Sequence, residues 1–416
     1  MRMYRFPDTK RTRVLLALLM AALIYTCRDS MYTTAMLGFN KAYLLTGMLA
    51  AVTGAAFLVY NRKNWKQILL DPRMVVLLAV SAILLVPMLV KRDWQMMYMS
   101  ILLCLWIGIF FSFFWDLKDA AKCFVVILSA IGVYSMAATY VLRILPDRGI
   151  LSVPVFYNSI GHKFHHFGLS IVSDEYVKLR NFGIFREPSV YHCFVLLALL
   201  LNNYTVTWKK EKWMWIVNGI LSLSMLTTLA TGGFVELAML AFLVFINKKL
   251  YKNKWVWILI GILAVILGIF LAVVIAQQGE LYWTLYGTFV SKFQPGADSS
   301  SDRVGSIVEN LKFFLDSPLF GGNIAAVFDT VPNNTSSTTL LLAILGIGGG
   351  LLHVVAWMAL IWDKRYSVLS NLTLLLIMFM ALNTQNLIAD LHFWMLPVMA
   401  LCQRGVPLLT GRKKEA

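Results

Sequence analysis

Charge is what this sequence has least of. Asp, Glu, Lys and Arg make up only 14% of its 416 residues, where soluble domains carry about 25%. With 59% hydrophobic residues and a mean hydropathy of +0.72, that shortfall excludes an ordinary soluble protein. The five cysteines, Cys27, Cys104, Cys123, Cys193 and Cys402, lie in or beside apolar runs and show no motif spacing. Free, lipid-buried thiols are expected, with no metal and no disulfide role. Internal repeats, low-complexity linkers and an obvious soluble domain are all lacking. Runs such as "VWILIGILAVILGIFLAVVIA" do not alternate, which excludes a transmembrane β-barrel.

What is present is a series of apolar stretches of about 17–25 residues, each long enough to cross a bilayer as a helix. They predict an all-α polytopic membrane protein, one integral membrane domain over residues 1–416. About twelve transmembrane helices fall near 14–27, 42–60, 74–90, 96–115, 122–142, 190–207, 214–230, 233–247, 255–277, 339–361, 368–386 and 391–403. With the N-terminus in the cytoplasm, the short inner segments collect 24 of the 37 Lys and Arg residues. The net charge of +16 is therefore read as the positive-inside bias of a multi-pass protein with both termini cytoplasmic, not as a nucleic-acid surface. The basic start and "VLLALLMAALIYTC" imitate a signal peptide, but no small-residue cleavage site follows, so the first helix is expected to be retained.

Two outer segments, 143–188 and 278–338, are too long to be plain connections, and long loops of this kind usually carry function. In the first, "GHKFHHFG" brings His162, His165 and His166 together. No nearby Cys or fixed carboxylate completes a zinc set, so an interfacial cluster on an amphipathic turn is expected. Next, "SDEYVKLRNFGIFREPS" gathers Asp174, Glu175, Arg180, Arg186 and Glu187 at the return to the membrane. Gly183 permits a positive φ or a close backbone approach, and Pro188 suits the first turn of the next helix. Phe182, Ile184 and Phe185 are expected to pin the loop into the membrane surface. The guanidinium groups would then stand where a lipid-linked phosphate lies. A purely structural reading is that these charges stop a helix at the headgroups.

The second segment reads as a short amphipathic interfacial helix from Asp302, with Val304, Ile307, Val308, Leu311, Phe314 and Leu315 at helical spacing. Ser301 or Asp302 serves as N-cap, and Pro318 with Gly321 and Gly322 ends it. Arg303 in the first turn opposes the helix dipole at a cost of about 0.3–1 kcal/mol, which points to an anion there. Inside the spans, Glu236 is the clearest carboxylate, and "TGG" at 231–233 reads as a tight outer turn.

These residues resemble the O-antigen ligase and polymerase superfamily (Wzy and WaaL types). The arginine–glycine–aromatic–proline element before a central helix is similar to Arg180, Gly183, Phe185 and Pro188. The family's arginine opening a surface helix that ends in Pro and Gly looks like Arg303, Pro318, Gly321 and Gly322. Its leucine-rich run toward two spaced glycines looks like "TTLLLAILGIGG" with Gly346 and Gly349. The likeness extends over nearly the whole chain: about twelve helices, with the two largest loops outside. One departure stands out: ligases of this superfamily place a His-Asn pair before the leucine-rich run, and the corresponding positions here are near Thr335 and Ser336 in "VPNNTSST".

The resemblance implies a metal-independent glycosyltransferase without cofactors in the bacterial plasma membrane. It would polymerise undecaprenyl-pyrophosphate-linked oligosaccharide repeats into surface polysaccharide at the outer face. Membrane lipid, a chain-length regulator and a flippase are the further partners it implies, with no nucleic acid. Arg180, Arg186 and Arg303 would bind pyrophosphate, Gly183, Pro188, Pro318, Gly321 and Gly322 would shape the loops, and Glu187 and Asp302 are the catalytic candidates. Asp174 and the histidines 162, 165 and 166 compete for the role of base, and Glu187 is equally readable as a helix-terminus residue. A ligase that moves finished glycan to a lipid or protein, or a transporter of lipid-linked sugar, are the alternative functions.

Overall fold

The computed structural model describes residues 9–33, 39–157, 162–174, 179–290 and 298–405. The protein is mostly helical, and a helix occupies each of the twelve apolar segments. Among the described residues, five helices are long and apolar enough to cross a membrane: Pro72–Lys91, Met96–Phe114, Leu117–Pro146, Lys254–Gln277 and Ser337–Ile361. A sixth joins them if Leu44–Tyr60 and Arg62–Leu69, bent by 75°, count as one span. Thr231–Asn247 and Val368–Leu382 are shorter apolar helices.

At the centre lies the helix Pro188–Tyr204, in which every residue but Ser189 is buried. A helix that is apolar all round belongs inside a bundle. It packs against Leu117–Ala137, Glu211–Thr227 and Thr231–Asn247. Lys254–Gln277 is the opposite case, with only 6% of its most apolar window buried. Its 24 residues span about 36 Å at 1.5 Å each, somewhat more than a hydrocarbon layer of about 30 Å. Trp255 and Trp257 begin it, and Tyr282, Trp283 and Tyr286 cluster just beyond its end. Such aromatic pairs of belts are typical of membrane–water boundaries.

The first loop is not wholly helical or irregular. Strands β1 (Val155–Tyr157), β2 (Lys163–His166) and β3 (Ile171–Ser173) form an antiparallel sheet in that order, with Phe156 opposite Phe164 and His165 opposite Val172. Of the histidines expected on an amphipathic turn, His165 and His166 thus lie in strand β2 and His162 immediately precedes it. Strands of three or four residues are too short to display a readable alternation. Phe164 and Ile171 pack with Phe182 and Met31.

Three further expectations change. Thr231-Gly232-Gly233 is not a turn but the first turn of the Thr231–Asn247 helix; the chain reverses just before it, where Leu229 takes φ 48°. The second-loop helix runs Asp298–Asp316. Ser301 and Asp302 are therefore interior positions and not N-caps, and Arg303 lies in the second turn, where the dipole penalty is weaker. Phe182, Ile184 and Phe185 do not anchor the loop in lipid: they are buried in protein, with the Phe185 ring centroid 4.2 Å from that of Phe194 and the two planes tilted by 32°.

The Ser337–Ile361 helix is broken at Gly346, which takes φ 63° and ψ −157°. The turn that ends the second-loop helix fills this break. Gly322 N–H donates to Ala343 O at 2.6 Å and Ile347 N–H donates to Pro318 O at 2.8 Å. Lys91 Nζ then donates to Gly322 O at 2.8 Å and Ile344 O at 2.6 Å. Backbone groups freed by the break are satisfied from outside the helix, as a nonpolar surrounding requires.

Candidate functional site

Four stretches that are far apart in sequence meet at one end of the bundle. They are the turn after the first helix, the segment leading into Pro188, the start of the Ser337–Ile361 helix and the turn after Leu382. Arg28-Asp29 crosses the Phe185-Arg186 backbone: Arg186 N–H donates to Asp29 O at 3.1 Å, Met31 N–H to Ile184 O at 2.8 Å, and Ser30 bridges to Phe185 as in an antiparallel pair. This brings Arg186 Nε within 2.6 Å of Asp29 Oδ1 and its Nη1 within 2.8 Å of Glu187 Oε1. Burial opposes the Arg186 charge, but Asp29 and Glu187 outweigh it and raise its pKa. Asp29 is fully buried.

Gly183 meets its backbone demand with φ 58°. A Cβ there would stand 2.9 Å from the Tyr191 ring, so the tight return of the chain requires glycine. Pro188 is the first residue of the central helix, and Glu187 is its N-cap by position only. The Glu187 side chain caps no backbone N–H. Instead its Oε2 accepts from Ser189 Oγ at 3.0 Å and Gln385 Nε2 at 3.3 Å, while Gln385 also donates to Ser189 Oγ at 2.8 Å. The carboxylate is held on three sides and still 45% exposed.

A polar chain runs from this carboxylate toward the second loop. Ser337 Oγ donates to Gln385 O and accepts from Leu387 N–H, fixing the turn that carries Gln385. Ser336 Oγ donates to Asn383 Oδ1, and Ser336 N–H donates to Asn334 Oδ1 at 3.2 Å. Asn334 and Asn310 exchange amide hydrogen bonds at 2.7 and 3.2 Å. Arg303, Ser306 and Asn310, at i, i+3 and i+7, share one face of the Asp298–Asp316 helix, and Ser306 and Asn310 are buried. Arg303 itself is half-buried, about 10 Å along the axis from Asn310. The side chain of Asp302 lies outside the described residues, as does Glu175.

The remaining predicted residues are placed elsewhere. Arg180 Nε donates to Thr228 O at 2.8 Å, tying the loop to the turn before Thr231. Pro318, Gly321 and Gly322 form the turn locked into the Gly346 break. Asp174 accepts from Lys163 at 2.7 Å and lies 3.3 Å from His165 Nε2. The Lys163 ammonium holds its carboxyl below the usual carboxylate range, which makes it a poor base. His166 meets Tyr32 edge-on at 4.5 Å, and burial lowers its pKa. These residues brace the small sheet.

Sequence reasoning missed Arg28, Asp29, Ser337, Asn383 and Gln385, and it met Ser336 only as a position where the resemblance lacks its His-Asn pair. "RDS" closing a span and "NTQN" inside one were the available signals. It also missed that Glu236, 1% exposed, lies 3.1 Å from the equally buried His192 Nε2, a pair inside the central helix packing. Comparison with family models, with curated proteins and with solved structures finds no match.

Proposed function

We propose that the protein is a membrane glycosyltransferase that extends a polysaccharide from undecaprenyl-pyrophosphate-linked repeats. In this reading it has about twelve spans, both termini are cytoplasmic, and the site faces outward in a bacterial plasma membrane. The observation that carries the reading is Glu187: a partly exposed carboxylate, gripped by Arg186, Ser189 and Gln385, where the first outer loop meets the polar chain to the helix of Arg303. The resemblance of the loop motifs to the O-antigen ligase and polymerase superfamily supports it.

The reaction needs one bond broken and one made. An acceptor sugar hydroxyl attacks C1 of the donor glycan, the C1–O–phosphate bond breaks, and its electron pair leaves on pyrophosphate. Glu187 takes the hydroxyl proton, the general-base role that its fixed geometry suits. Arg186 is a positioning residue for this carboxylate, since Asp29 and Glu187 already engage it. Arg303 and Arg180 supply positive charge for the departing pyrophosphate, whose two negative phosphates favour bidentate guanidinium contacts. A chain-length regulator and a flippase are the proposed partners.

The test is reconstitution of the purified protein in vesicles with a lipid-linked repeat and no added nucleotide or metal. Wild type is expected to give a ladder of longer carrier-linked products, and Glu187→Gln, which preserves shape but not basicity, to slow it by about 10²-fold. Absence of any extension by wild type sinks the polymerase reading. Transfer of preformed polymer to a second acceptor would mark a ligase, and movement of intact donor across the bilayer a transporter.

A further inference from the structure

We propose that Cys27, Asp390 and His392 form a binding site for a zinc-type divalent cation that staples the first helix to the last at the base of the polar cluster. The donor atoms of these three residues all lie within 4.8 Å of one another, and all three residues are buried. Among the described residues this is the one group of three such ligands.

The second observation is that three of the nitrogen and oxygen donor atoms lack partners, while the Cys27 thiol hydrogen-bonds to the Asp390 side chain, a contact between two of the three ligands. Asp390 Oδ2 and both ring nitrogens of His392 are buried without a hydrogen bond. Asp390 Oδ1 accepts from the His392 backbone N–H at 3.0 Å, so the Asp-Leu-His turn holds both side chains as one unit. His392 Nδ1 stands 3.5 Å from Asp390 Oδ1, too far for a good hydrogen bond. Leaving a buried polar group unpaired costs about 1–3 kcal/mol. A cation relieves Asp390 Oδ2 and one nitrogen of His392 together.

The donor chemistry selects the ion. Thiolate, imidazole and carboxylate together suit zinc and its borderline neighbours, whereas magnesium and calcium take oxygen ligands. Thiolate and carboxylate also balance the two positive charges. This matters because the wall is apolar: the rings of Phe124 and Phe194 lie 5.5 and 5.6 Å from that of His392. Ion–ligand distances of about 2.0–2.3 Å put tetrahedral donors about 3.3–3.8 Å apart. The three side chains must therefore close by about 1 Å around the ion.

The staple has a reason to be here. Cys27 immediately precedes Arg28 and Asp29, and Asp390 closes the turn that carries Gln385 and Asn386. Arg28 Nη1 donates to Asn386 O at 3.2 Å across the same seam. The ion would fix the two stretches that hold Arg186 and Glu187, without touching substrate. The inference does not depend on what reaction the cluster performs, because its readouts are metal content and stability.

Elemental analysis of detergent-purified protein, prepared without chelator, is expected to find about one zinc per chain. Cobalt substitution should give a thiolate-to-metal charge-transfer absorbance. Cys27→Ser should abolish that band, and Cys27→Ser, Asp390→Asn and His392→Gln should each lower metal content by about tenfold or more. Cys402→Ser, a buried thiol elsewhere, should keep both. Should the site variants fail to fold, wild type answers alone: a chelator should lower Tm, and zinc should restore it. Wild type that holds no metal after equilibration with zinc or cobalt overturns the site, as does a Cys27→Ser protein that binds as much as wild type.

Discussion

Arg186 is the residue on which the polar cluster turns, because it answers two carboxylates at once. Asp29 is fully buried, and removing its guanidinium partner leaves an uncompensated charge. Arg186→Ala is expected to cost about 3 kcal/mol, the low end for a broken buried pair, since Arg186 keeps 25% exposure. Adding Asp29→Asn should recover more than half of that loss, because the stranded charge goes with it. Thermal unfolding of the single and double variants in one detergent checks this; strict additivity would show that the pair is not coupled. Glu187 teaches a related point. In sequence it was equally a base or a helix terminus, and its oxygens proved to face Arg186, Ser189 and Gln385 and not the backbone N–H groups of the helix.

At the scale of elements, the break in the Ser337–Ile361 helix and the Pro318–Gly322 turn are two halves of one joint. Gly321 has φ 70°, and a Cβ on it would lie 2.5 Å from the carbonyl carbon of Ile344. Backbone gives way far less readily than a side chain, so Gly321→Ala is expected to destabilise by more than about 3 kcal/mol, combining clash and left-handed strain. Gly305 sits in the second-loop helix with nothing within 4 Å of its Cβ position. There Gly305→Ala should stabilise by about 0.5–1 kcal/mol through the unfolded chain. Opposite shifts in Tm are the expected result, and equal shifts would remove the joint from the account. Sequence spacing made Gly346 visible as one of two glycines in an apolar run. That it breaks the helix was not visible, because the partner turn comes from another loop.

For the whole molecule, the proposed topology puts residues 143–188 outside and the segment between Tyr204 and Glu211 inside. A membrane-impermeant maleimide is expected to label Leu151→Cys in intact cells and Lys210→Cys only after permeabilisation. The reverse pattern would invert the orientation and move the polar cluster to the cytoplasmic face. Of the native thiols, Cys27, Cys104, Cys193 and Cys402 are buried and Cys123 is partly so, which keeps the background of such labelling low.

The sequence by itself determined the helical, membrane-type character of the chain. That is a consequence of local hydropathy, which acts within a window of about twenty residues. It also placed Glu187, Gly183 and Pro188 at the start of the central helix. Only the tertiary structure decided which polar groups meet: Arg186 with Asp29 across 157 residues, Gln385 with Glu187 across 198, and Cys27 with Asp390 and His392 from opposite ends of the chain. The physical reason is that a polar group removed from water must find a partner wherever packing presents one. Packing is set by the faces of many helices together, and no single stretch of sequence carries that information.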